Sequence, residues 1–139
     1  DAASVSGSQS VVVSIDVKKS MFGQYEVYIN NGKKRTNTDP VDYAKKMQDL
    51  GAGELIVSSI NREGTAKGYD LELLKLVLES VLIPVVGLGG AGTLHHLANA
   101  KNHTSVSGLA AGDLFVFYGR HKAVLITYPK YTDLLDLFN

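Results

Sequence analysis

Residues 54–92 read "ELIVSSINREGTAKGYDLELLKLVLESVLIPVVGLGGAG", and the fold turns on this stretch. "ELIVSSI" (54–60) is a nearly continuous apolar run of strand length, the pattern of a strand in a parallel sheet. The polar loop "NREGTAKG" follows, and Asp70 then offers a carboxylate that can cap a helix. That helix brings Leu71, Leu74, Val77 and Leu78 to one side. "IPVVGLGG" (83–90) is another apolar strand, ending in glycines that lead into a further helical pattern from Thr93 to Ala100. Strands alternating with helices at this spacing are βα units, which build parallel sheets.

The same grammar extends in both directions. "SVVVSID" (10–16) is β-branched and is expected to be buried on both faces. "YEVYIN" alternates and runs into Asn31-Gly32, a turn signal. Asp39-Pro40 opens a helix: Asp caps it, and Pro at the first position gives up only a donor that had no partner. Its expected inner face is Val41, Ala44, Met47 and Leu50, with Gly51 as the stop. "SVSGLAAG" (105–112) is a fourth, weaker strand. "DLFVFYGRHKAVLITYP" fits a short helix or a further strand, and "YTDLLDLF" a terminal helical turn or two. Right-handed crossovers leave two architectures, an open doubly wound sheet or part of a (β/α)8 barrel. A barrel needs about 250 residues, so four units make half of one. Composition does not choose between them.

Composition bounds the function. The 139 residues are 45% hydrophobic and 20% charged, an ordinary globular balance for one domain. Lys+Arg and Asp+Glu number 14 each, which argues against nucleic acid or an anionic membrane as a bulk electrostatic partner. There is no cysteine, hence no disulfide, thiolate metal site or cysteine nucleophile. No apolar run approaches membrane-spanning length, and "DAASVSGSQS" lacks the basic start and apolar core of a signal peptide. A cytoplasmic setting is expected, and Asp1, which is not an initiator Met, reads as a cut or processed end.

Three features carry chemistry. Gly87, Gly89 and Gly92 fit G-x-G-x-x-G, with Asp113 roughly 20 residues on, as a dinucleotide site requires. Against that reading, the glycines lie in the third βα unit, whereas the fingerprint belongs in the first. Alternatively, side-chain-free N–H groups at a helix N-terminus hold a single phosphate; a third reading is a tight turn with no ligand. Asp16 ends a buried-type strand, where barrel active sites are built, and is a candidate general acid/base; the plain alternative is a strand end paired with Lys18 or Lys19. Ser58, Ser59, Asn61, Glu63 and Thr65 follow the next strand and could bind a polyol or phosphate, or simply form a polar loop. His95 and His96 are adjacent on a helix, point about 100° apart and cannot readily share a metal, so they read as structural.

Taken together, "VVVSIDVKK", "GAGELIVSSINREGTAKGYDLELLKLV" and "IPVVGLGGAG" resemble the cyclase subunit of imidazole glycerol phosphate synthase, from the histidine pathway. The resemblance covers nearly all of residues 1–139 and implies a single half-barrel domain, strands five to eight of a TIM (β/α)8 barrel. The ending "FVFYGRHKAVLITYP" resembles the branch associated with surface-polysaccharide (lipopolysaccharide) sugar amidation. By position, the resemblance implies that Asp16 is a catalytic aspartate of ring closure. Gly89, Gly90, Ala91 and Gly92, with Ala111 and Gly112, match loops that hold one substrate phosphate, and Gly64 and Thr65 border that site. Glu54 matches an acid of the gate through which ammonia from a glutaminase subunit enters. No cofactor and no metal are implied. The chain departs from the family at four places: Asn61 stands where an acid is usual, Glu63 where Asp is, Leu88 where a small residue is, and Asp113 where a neutral one is.

One catalytic acid and one phosphate site would lie in the other half, so this chain alone is expected to be inactive in cyclisation. Two rivals stand beside the cyclase: a non-catalytic half-barrel that self-associates through its unpaired sheet edges, and the related phosphoribosyl-aminoimidazole-carboxamide sugar isomerase of histidine biosynthesis.

Overall fold

A computed structural model describes residues 11–112, 117–118, 123–124 and 130–138. The elements are β1 (Val12–Lys19), β2 (Tyr25–Ile29), β3 (Lys34–Arg35), α1 (Pro40–Asp49), β4 (Glu54–Ser59), α2 (Leu71–Leu78), β5 (Val85–Leu88), α3 (Leu94–His103), β6 (Gly108–Ala110), β7 (Phe117–Tyr118), β8 (Ala123–Val124) and α4 (Tyr131–Phe138). The short β7–β8 pair is antiparallel, so the 113–129 stretch contains strand.

β1 to β6 form one sheet in the order β3-β2-β1-β4-β5-β6. β1, β4, β5 and β6 are parallel, and each lies beside the next one in the chain. A doubly wound sheet reverses its strand order somewhere and opens a crevice there. The parallel strands here run in sequence without reversal, as they do around a barrel.

The side-chain register settles the architecture further. In line across the sheet are Val13, Leu55 and Val85, then Ile15, Val57 and Gly87. Of these, Ile15, Leu55, Val57 and Val85 are buried against Ala44, Leu73, Leu74, Val77, Leu97 and Ala100 of α1, α2 and α3. The intervening residues Ser14, Asp16, Ile56, Val86 and Leu88 face the other way, and no described helix covers them. Val12, on that open face, is 52% exposed. β1 is therefore buried on one face and not on both, because α1, α2 and α3 pack on one side and Leu137 of α4 joins the same core. A doubly wound sheet would carry helices on both, so the fold is part of a TIM barrel, with no described helix on its inner face.

Local signals place the helices. Asp39, Asp70 and Thr93 are the N-caps of α1, α2 and α3, each accepting a backbone N–H from the first turn. Two inward assignments change. Leu50 caps the C-terminus of α1 and is 52% exposed, and Leu73, at 1%, sits in the core beside Leu74. β1 also runs three residues past Asp16, because residues 16–19 pair with β2 in an antiparallel hairpin.

Candidate functional site

Parallel strands share one C-terminal rim. In register across that end of the sheet, on the open face, stand Asp16, Ser58, Leu88 and Ala110, with Tyr28 on the other side of Asp16. Asp16 is half-buried and Ser58 is buried at 9% exposure. Lys18 lies on the same face two residues beyond Asp16, its Nζ 5.6 Å from the Tyr28 ring centroid. Leu88 thus presents an aliphatic group in the row that holds the acid.

The loops after β4, β5 and β6 bring Gly64, Thr65, Gly89–Gly92, Ala111 and Gly112 to this rim. Glu54, the first residue of β4, lies at the opposite rim, half-buried and about 13 Å along the strand from Ser58. Leu82, just before β5, is 96% exposed at that same end. Asp113 lies outside the described residues.

The glycine fingerprint separates into different jobs. Gly87 is within β5 on the helix side, where an added Cβ would come within 2.9 Å of Leu74 Cδ1. It admits α2 to the sheet and is no part of a turn, as the first glycine of a dinucleotide loop must be. Gly89 and Gly90 have φ of +101° and +98°, a left-handed backbone that glycine adopts without strain. At Gly90 a Cβ would sit 2.2 Å from the Gly68 carbonyl oxygen, and the Gly68 N–H donates to the Gly90 carbonyl at 2.7 Å. At Gly92 a Cβ would meet that of Ala66 at 2.4 Å. The two rim loops are packed backbone on backbone, and the nicotinamide reading loses both its turn glycine and its crevice.

Several polar contacts escape any sequence motif. The Gly92 N–H donates to His96 Nδ1 at 3.0 Å, so His96 braces the glycine loop from α3. Thr65 Oγ1 donates to the Arg62 carbonyl at 2.7 Å and accepts from the Lys67 N–H at 3.3 Å, stiffening its own loop. Tyr69, 4% exposed, donates its hydroxyl to the Ala110 carbonyl at 2.8 Å, tying the loop after β4 to the end of β6. Burial, with Glu63 nearby, pushes the Tyr69 phenol up to about 12.

Behind the rim, on the helix side of β1, the Tyr25 hydroxyl donates to Asp70 at 2.8 Å and Glu72 at 3.2 Å. Burial first, then these carboxylates, raises the Tyr25 pKa well above the ordinary phenol value. Lys19 pairs with Glu72 at 2.6 Å and lies over the Tyr25 ring, and its hydrogen bond holds the Glu72 carboxyl below its usual value. Such contacts join residues some 50 positions apart, and no local pattern announces them. Among the described residues, no three His, Asp or Glu side chains gather as metal ligands. No helix there is long and apolar enough to cross a membrane.

Comparison with known proteins agrees with this geometry. The family described as "Histidine biosynthesis protein" matches residues 1–122. A Leptospira borgpetersenii protein, provisionally named imidazole glycerol phosphate synthase subunit HisF, is 50% identical over 137 residues, covering 98% of this chain and 54% of its own length. The imidazole glycerol phosphate synthase subunit HisF of Chlorobaculum tepidum is 46% identical over 111 residues, 80% of this chain and 44% of that protein. That of Alkaliphilus metalliredigens is 42% identical over 115 residues, 83% and 46% respectively. The chain spans about half the length of these relatives. With sequential parallel strands, helices on one face and a match over most of its length, the chain belongs to the histidine biosynthesis protein family.

Proposed function

We propose that this chain supplies the C-terminal half, one domain of strands five to eight, of a cyclase barrel of the imidazole glycerol phosphate synthase type. The observation that carries the reading is the single rim on which Asp16 and the loops 64–65, 89–92 and 111–112 converge at the C-terminal ends of four sequential parallel strands. Barrel enzymes place their chemistry and their phosphate sites at this end. Asp16 moves protons during ring closure, and the glycine loop, with Gly64 and Thr65 at its border, holds an anionic group of a phosphorylated or sugar-derived substrate. Glu54 lies at the far rim, where ammonia from a glutaminase partner enters, and exposed Leu82 gives that partner an apolar foothold. The setting is the cytoplasm, and neither a metal nor a cofactor is needed.

Leu88, in the acid's own row, narrows the pocket and favours a substrate other than the histidine-pathway one, in line with the sugar-amidation branch. The test is Asp16→Asn in the longer protein, supplied with ammonia and each candidate phosphorylated substrate. Ring closure should fall at least about 100-fold with substrate affinity retained. Undiminished turnover overturns the reading, and turnover of the open-chain isomerase substrate instead would favour the sugar isomerase. The 139-residue chain alone should be inactive.

A second reading, self-association of half-barrels, is favoured by one observation. β2 pairs only with residues 16–19 of β1, so among the described residues no strand lies beside residues 12–15 on that side. β6 is the other sheet edge.

A further inference from the structure

Asn61 stands just past β4, and its side-chain amide makes two hydrogen bonds to a single residue 42 positions away. Its Oδ1 accepts from the Lys19 N–H at 2.6 Å, and its Nδ2 donates to the Lys19 carbonyl at 3.1 Å. The last backbone bond between the two strands is the Ile60 N–H to the Val17 carbonyl, at 2.8 Å. The amide therefore continues the β1–β4 ladder beyond the point where backbone pairing stops. It does so on the residue where β1 ends and the hairpin begins. Asn61 also borders a polar cleft of about 500 Å³ together with Lys19, Asp70, Glu72 and Asn99, on the helix side of the sheet. Asp16 lies on the opposite, open face.

We propose that Asn61 is a positioning residue for the Asp16 strand, acting through Lys19, and not a substrate ligand. Two residues separate Asp16 from the clamped Lys19. The same clamp fixes the hairpin whose Tyr28 stands beside Asp16. In this chain the clamp uses the donor and the acceptor of the amide at once, at a position where the family usually carries an acid. A carboxylate of the same shape accepts from the N–H but sets a second oxygen against the Lys19 carbonyl. Lys19 is held a second time by its side chain, through Glu72 and the Tyr25 ring, so backbone and side chain fix the strand end independently.

The proposal's catalytic consequence rests on Asp16 acting in ring closure, whereas the clamp itself does not. Amide hydrogen exchange on the 139-residue chain reads the clamp directly. In Asn61→Ala the Lys19 amide should lose at least about fivefold in protection, the worth of one net hydrogen bond, while Val57 within β4 stays protected as a control for folding. Unchanged Lys19 exchange overturns the clamp. In the longer protein, Asn61→Ala should lower kcat with KM within about twofold. A rise in KM with kcat intact makes Asn61 a substrate contact and overturns the proposal. If the parent protein closes no ring while the exchange result holds, the cyclase reading fails and the clamp stands.

Discussion

At the scale of single residues, glycines that look equivalent in the sequence turn out to be unequal. Gly90 combines φ of +98° with a carbonyl oxygen 2.2 Å from where a Cβ would be, whereas no atom of the described residues lies within 4 Å of a Cβ at Gly112. Gly90→Ala should therefore cost at least about 2 kcal/mol in a denaturant titration, and Gly112→Ala no more than about 0.5 kcal/mol. Comparable losses at both would mean that the loops are not packed as described. Tyr69 sets a pH dependence. Its folded-state value near 12 lies above that of a free phenol, so the unfolded chain releases the proton first as pH rises. Stability from this group is complete below about pH 10 and is lost towards pH 12, by about 2–3 kcal/mol. Urea titrations between pH 9 and about 11.5 should show the decline, and Tyr69→Phe should make it shallower, with Tyr25 supplying the remaining loss of the same sign.

At the scale of elements, the hairpin and α2 depend on one carboxylate. Asp70, 7% exposed, accepts from the Leu73 N–H at 3.1 Å as N-cap and from the Tyr25 hydroxyl at 2.8 Å. Asp70→Ala removes both and leaves Tyr25 with Glu72 alone, so a loss of about 2–3 kcal/mol is expected. Asp70→Asn keeps an acceptor oxygen and should lose less than about half of that. Thermal melts of the two variants check the ordering; equal losses would tie Asp70 to its charge and not to its bonds. That Asp70 caps a helix was readable from its place before a 3.6-residue pattern. That it also holds β2 was not, because the partner is 45 residues away and the bond depends on how the hairpin folds back.

At the scale of the whole molecule, the described residues place helices on one side of the sheet and none on the other. On the half-barrel proposal, another half of a barrel or a second copy of this chain buries that face. Self-association predicts that sedimentation of the 139-residue chain at rising concentration reports dimers or larger species. Charges placed in the open rows, as in Ile56→Lys with Val86→Glu, should return it to monomer. A strictly monomeric chain throughout would leave pairing with another half as the use of this face.

The sequence by itself determined the order of the four βα units, the capped helix starts at Asp39 and Asp70, and the candidate acid and glycine loop. These follow from periodicity and from hydrogen bonds made within one turn, both of which are local. It did not determine which face of β1 is covered, since an apolar run reads alike whether helices pack on one side or both. Nor did it separate Gly87, which admits Leu74, from Gly90, which admits the Gly68 carbonyl. Asn61, Tyr69 and His96 were legible only as polar residues near a rim. Their partners were chosen by the tertiary structure, because register across a sheet and packing between loops are set by contacts far apart in the chain.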